Sequence, residues 1–113
     1  MNIQIFGKKK CFDTKKAERY FKERKVKFQT IDLLDKGFSK RELESVIAAV
    51  GGVEKLIDDN AKDKDALAVI KYSPDDTKLE KILDNQQVIL TPVVRNGKLA
   101  TVGYVPEIWK NWE

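Results

Sequence analysis

Apolar and polar residues alternate at the front of the chain. Asn2 to Phe6 reads NIQIF, the period-two pattern of a short strand. Gly7 and three lysines interrupt it. After Cys11 and Asp13 the period lengthens: Ala17, Tyr20 and Phe21 fall on one face with charged residues opposite, which predicts a helix ending near Lys25. From Val26 to Leu33 (VKFQTIDL) strand alternation returns, with Val26, Phe28, Thr30 and Asp32 on one side. Two strands joined through a helix are expected to lie parallel in one sheet, with a right-handed crossover.

The middle of the chain reads as helical. Ser39-Lys40-Arg41-Glu42 has capping-box spacing, in which the serine hydroxyl takes a backbone N–H and the glutamate returns to the serine's own N–H. Leu43, Val46, Ile47 and Val50 follow as an apolar stripe, and Gly51-Gly52 ends it. Val53 to Ile57 and Ala66 to Ile70 read as short helical pieces around a very polar stretch near Asn60. Ser73-Pro74-Asp75-Asp76 predicts another start, with serine as cap and proline at the first helical position. Leu79, Ile82 and Leu83 carry that helix into the core, and Asp84-Asn85 stops it.

ILTPVVRNGKLATVG (Ile89 to Gly103) places two β-rich runs around Asn96-Gly97, a dipeptide suited to a type I′ hairpin. Pro106 then opens a final helix that offers Ile108, Trp109 and Trp112 for packing. The order is strand, helix, strand, helical insert, hairpin and closing helix. It predicts an α/β domain over residues 1–113, a mixed sheet with helices on both faces, and an insert after the second strand at about residues 39–84.

Composition narrows the chemistry. The chain of 113 residues has no histidine and one cysteine, which removes an internal disulfide, a Cys-His or Ser-His-Asp pair, and in effect a structural zinc site. The net charge is +4, with 22 basic residues mixed among 18 acidic ones, so no concentrated nucleic-acid-binding face is expected. A free thiol, without an export signal or membrane-length apolar segment, predicts a cytoplasmic protein with no membrane partner.

Charge around the thiol is more informative than the total. Cys11 follows the first strand and sits at, or just before, the start of the first helix, where unpaired N–H groups and the positive end of the helix dipole favour thiolate over thiol. Lys8, Lys9, Lys10, Lys15 and Lys16 add a field of the same sign, and Asp13 partly offsets it. Cysteines in such settings have pKa values lowered from about 8.5 to roughly 3.5–7.5. Thr14 lies one helical turn on, so its hydroxyl can point back to the sulfur but cannot form a disulfide with it. Cys11-Phe12-Asp13-Thr14 is thus a one-thiol version of C-x-x-C. The competing account is an inert, buried cysteine; a strand-to-helix corner, where ligands usually sit, weighs against it. Thr91-Pro92 is the second candidate. Proline cannot donate to a ladder, so it marks either a plain strand start or a cis bond turning Thr91 towards the thiol.

Together these segments resemble the thioredoxin-like superfamily, and more narrowly the arsenate reductase (ArsC)/Spx family. The resemblance rests on IQIFGKKKCFDTKKAERYFKERKVKFQTIDL, on the insert containing GGVEKLIDDN, and on ILTPVVRNGKLATVGY. It implies a thioredoxin-like fold with a mixed sheet of about four strands, an active thiol at Cys11 and a hairpin opened by Pro92. Arsenate reductases of this kind use arginines to hold the oxyanion; near those places stand Asp58, Thr91, and Tyr104 or Val105. Spx-like regulators bind RNA polymerase and sense oxidation through paired cysteines, whereas Thr14 occupies the second position here.

The expected function is a thiol oxidoreductase with one active thiol, resolved by glutathione or another small thiol as co-substrate, with no cofactor bound. Cys11 would be the nucleophile, with Thr14 and the helix N-terminus stabilising it. Lys10 and Lys15 would attract an anionic substrate, and Thr91 and Pro92 would form the opposing wall. The partner would be a small thiol or disulfide, or a redox partner protein. The alternatives are a non-catalytic regulator, for which RNA polymerase is the implied partner through the Gly51-Gly52 region, and an arsenate reductase, disfavoured by the missing arginines.

Overall fold

In the computed structural model, which describes residues 1–112, the alternating front segment forms strand β1 (Ile3–Gly7). The chain then crosses through helix α1 (Phe12–Glu23) and returns as β2 (Phe28–Asp32), parallel to β1 in register from Ile3↔Phe28 to Gly7↔Asp32. On the other side of β1 lies β3 (Val93–Asn96), antiparallel, and β4 (Leu99–Val102) pairs with β3. The sheet order is β2-β1-β3-β4. This is the mixed sheet that the pattern predicts, with the four strands that the resemblance implies. Helices α2 (Lys40–Val50), α3 (Lys64–Tyr72) and α4 (Asp75–Leu83) fill the interval between β2 and β3, and α5 (Pro106–Trp109) closes the chain. No helix among the described residues is long and apolar enough to cross a membrane.

Strand alternation divides the apolar residues between two layers. Ile3, Ile5 and Val94 point to the face covered by α1 and α5, where they pack with Ala17, Tyr20, Phe21 and Trp109. Phe6 and Val93 point to the other face and join Leu43, Val46, Ile70 and Ile82 of the insert. Phe6 stacks on Phe38 with ring centroids 4.0 Å apart. Trp109 is fully buried, and its indole N–H donates to the Thr101 hydroxyl at 2.8 Å, so the ring is accommodated without an orphaned donor.

The Ser39 capping box forms as read: the Glu42 N–H donates to Ser39 Oγ, and Glu42 Oε1 accepts from the Ser39 N–H. Gly51 ends α2 in the left-handed conformation at φ +90°. Three local expectations need correction. Pro74 is the N-cap of α4 rather than its first helical residue, and the Ser73 hydroxyl instead donates back to Val69 O, closing α3. The second strand begins at Phe28; Val26 is used to end α1, its N–H returning to Phe21 O while Lys25 takes φ +58°. The hairpin turn is also displaced by one residue. Asn96 pairs with Leu99, leaving Gly97-Lys98 as the loop, and φ is positive at Gly97 alone, as in a type II′ rather than a type I′ turn.

The Trp109–Thr101 bond is separable from packing. Thr101→Val keeps the side-chain shape but orphans the indole N–H, and it is expected to cost about 1–3 kcal/mol in denaturant unfolding, with an unchanged m-value.

Candidate active site

The last residue of β1 abuts the first turn of α1. A Cβ on Gly7 would lie 2.2 Å from Thr14 Cγ2 and 2.7 Å from its Oγ1, so glycine is what lets the helix start this close to the strand end. Lys8 to Lys10 make the intervening turn, in which the Cys11 N–H donates to Lys8 O at 3.1 Å. Cys11 is then the N-cap of α1, with extended backbone (φ −89°, ψ 116°), and its carbonyl accepts the Lys15 N–H. The residue is partly exposed, and Phe12 beside it is 78 % exposed.

Across from this corner, the Cys11 thiol donates weakly to the Thr91 carbonyl at 3.6 Å. The Thr91–Pro92 bond is cis, and Pro92 O accepts from the Gly103 N–H at 2.8 Å. Four of the predicted site residues, Cys11, Thr14, Thr91 and Pro92, therefore meet at one place.

Opposing influences act on the sulfur. Partial burial pushes the thiol pKa up; the Thr14 hydroxyl, the Thr91 side chain, and the N–H groups of Thr14 and Asp13 push it down. The donors prevail, leaving the thiol below its ordinary value. Thr91 acts in two directions, since its carbonyl favours the neutral S–H while its hydroxyl favours the anion; the 3.6 Å carbonyl contact is long and weak. The Thr14 hydroxyl is buried and has no hydrogen-bond partner while Cys11 is a neutral thiol. An anion at Cys11 is the nearby acceptor that would satisfy it.

The five lysines do not act alike. Lys10 and Lys15 are exposed, and their side chains line separate clefts of about 1180 and 290 Å³ beside the loop. Lys16 lies 3.9 Å from the Asp13 carboxylate and 5.7 Å from the Tyr104 ring centroid. Lys8 is the one drawn inward: its ammonium donates to Gln87 O at 2.8 Å and Ile89 O at 3.0 Å. Nothing in a run of three lysines distinguishes the inward one, so Lys8 does not stand out from Lys9 and Lys10 by sequence. Asp58 lines the larger cleft, and its charge acts on Lys8.

No arginine lines either cleft among the described residues. Arg95, the arginine of the hairpin, is engaged by Gln4 Oε1 at 3.0 Å and Glu42 Oε2 at 3.7 Å. Tyr104 packs edge-on against Trp109. No group of three or more Cys, Asp or Glu side chains among the described residues is placed to hold a metal ion.

The model of the ArsC family matches residues 6–112. Among solved structures, an ArsC family related protein from Bacteroides fragilis superposes with a TM-score of 0.83 at 17% identity, covering 100% of this chain and 98% of that one. An arsenate reductase from Vibrio cholerae gives 0.83 at 19% identity, covering 98% and 97%. The YFFB protein gives 0.81 at 24% identity, covering 96% of both. At such identities the structural likeness establishes the fold. No match was found among curated proteins.

Thr14→Val keeps the shape of the side chain and removes its hydroxyl. It is expected to raise the Cys11 pKa and slow alkylation below the wild-type pKa about three- to tenfold, while Thr14→Ser retains most of the effect. Stability follows the same sign. A thiol pKa lowered by folding contributes stability that is fully present above the unfolded value of about 8.5 and lost as pH falls through the folded one. The stability difference between wild type and Cys11→Ala should therefore grow with pH across that window, as read by denaturant titration.

Proposed function

The chain belongs to the ArsC family, and from that premise we propose that it is a thiol oxidoreductase working through Cys11 alone. The observation that carries the reading is the placement of a partly exposed cysteine at the N-cap of α1, its sulfur 3.6 Å from the Thr91 carbonyl. The Cys11 thiolate attacks one sulfur of a disulfide RS–SR′. A bond forms between Cys11 and SR, and R′S⁻ leaves and takes a proton from water. A second, external thiolate such as glutathione then attacks the SR sulfur, releases Cys11 as thiolate and carries the oxidising equivalents away as a new disulfide. The external thiol is required because the chain has one cysteine.

Thr14, whose buried hydroxyl lacks a partner at rest, supplies the hydrogen bond that the thiolate needs. Lys10 and Lys15, exposed on either side of the loop, attract carboxylate-bearing substrates over distance rather than by contact. Thr91 and Pro92 form the wall against which the substrate sulfur lies. Reduction of arsenate fits less well: an oxyanion favours bidentate arginines, and Asp58 stands in the cleft instead.

The test is reduction of a glutathione mixed disulfide, and of arsenate in parallel, with glutathione as donor and a coupled disulfide readout. The wild type is expected to turn over the mixed disulfide, Cys11→Ser to lose activity at least about a hundredfold, and arsenate to remain at background. Arsenate turnover that depends on Cys11 would replace this reading with the reductase. Absence of turnover on both, with a thiol that titrates as a free one, would favour the non-catalytic regulator.

A further inference from the structure

The β1–β3 ladder pairs Ile3 with Asn96 through Phe6 with Val93 and goes no further. Pro92, next in line, has no N–H to offer. The segment before it turns away and pairs with the insert instead: Asp58 N–H donates to Val88 O at 2.8 Å and Leu90 N–H to Leu56 O at 2.7 Å, around an Ile57↔Ile89 bridge. Gln86–Val88 is a short 3₁₀ turn leading into an extended Ile89, and the carbonyls of Gln87 and Ile89 take no part in that pairing. Carried past Pro92, the β1–β3 register would bring a continued β1 alongside this segment. The backbone does not continue, and the Lys8 ammonium takes both carbonyls in its place.

We propose that Lys8 is a positioning residue for Cys11: its side chain replaces the missing ladder, ties the Cys11 loop to the segment leading into Thr91-Pro92, and fixes one positive charge at the corner. The proposal rests on the thiolate reading above and assigns Lys8 a role that Lys10 and Lys15 do not share. An ammonium has three donors, and two are committed to carbonyls, so its position is set before any substrate arrives. Lys8 loses pKa through burial and regains some from the charges of Asp58 and of the Cys11 thiolate. The last interaction is reciprocal: a thiolate that favours the ammonium is itself favoured by it. The charged groups lining the two clefts around this corner are Lys8, Lys9 and Lys10 of the loop, Lys15 and Glu18 of α1, Asp32 at the end of β2, Asp35 after it, and Asp58, Lys62 and Asp63 of the insert; Asp13 lies in the first turn of α1. Among the lysines here, Lys8 is the one held by two backbone acceptors.

Two variants separate the staple from the charge. Lys8→Gln keeps a donor for the carbonyls without the charge, and Lys8→Arg keeps the charge. Cys11 alkylation is followed against pH in both, with thermal unfolding measured alongside. In the wild type the thiol is expected to titrate below its ordinary range. In Lys8→Gln that value rises by about half to one pH unit, and alkylation at about pH 6 slows three- to tenfold; in Lys8→Arg it stays near wild type. A Lys8→Gln protein whose thiol titrates as in the wild type overturns the proposal, even if it melts earlier. A wild-type thiol that titrates like a free cysteine overturns the thiolate reading itself, and with it the electrostatic role of Lys8.

Discussion

Parallel pairing of β1 with β2 obliges the chain to cross the sheet through a helix, and that crossover places Cys11 where it is. A strand that ends at Gly7 and a helix that begins at Phe12 leave four residues for the turn. The turn stays this short because Gly7 presents no Cβ to the packed Thr14 side chain. The sulfur then caps the helix, and the neighbouring antiparallel strand, entering through Pro92, delivers Thr91 to it from the other end of the chain. The rest of the molecule holds those two ends in register. Ile3, Ile5 and Val94 do so from the α1 face, and Phe6 and Val93 from the insert face.

Electrostatics at the corner is a balance rather than a single large effect. Burial of the sulfur opposes ionisation, and several weak donors together outweigh it. The cations nearby are lysines, and Asp58 answers one of them, so the cleft presents mixed charge where a tight oxyanion site calls for planar guanidinium groups. That contrast separates exchange at sulfur, which needs a stable thiolate and an open approach, from oxyanion reduction, which needs the substrate clamped.

Much of this was legible from residue pattern because each feature has a local cause. The capping box at Ser39, the period-two run at Ile3–Phe6 and the proline before Val93 announce themselves over a few residues. The misreadings also have local causes. Asn96-Gly97 suits a type I′ turn in isolation, but pairing of Asn96 with Leu99 moves the loop to Gly97-Lys98. Ser73 is as good a cap for α4 as any, yet its hydroxyl is taken by the helix before it. The inward turn of Lys8 was not legible, because its partners are two backbone carbonyls about eighty residues away, and carbonyls carry no sequence signature. The orphaned Thr14 hydroxyl was half legible: spacing places it near the sulfur, but only packing shows that it has no partner at rest.

Exchange at this corner requires, above all, an anion at residue 11 under mild conditions. Ultraviolet absorbance of the thiolate, followed across pH in the wild type and in Cys11→Ser, measures it without any substrate. A single transition centred below the ordinary cysteine value of about 8.5, and absent from Cys11→Ser, is the predicted result. A transition at or above that value would mean that burial outweighs the surrounding donors, and the corner would then be structure rather than chemistry.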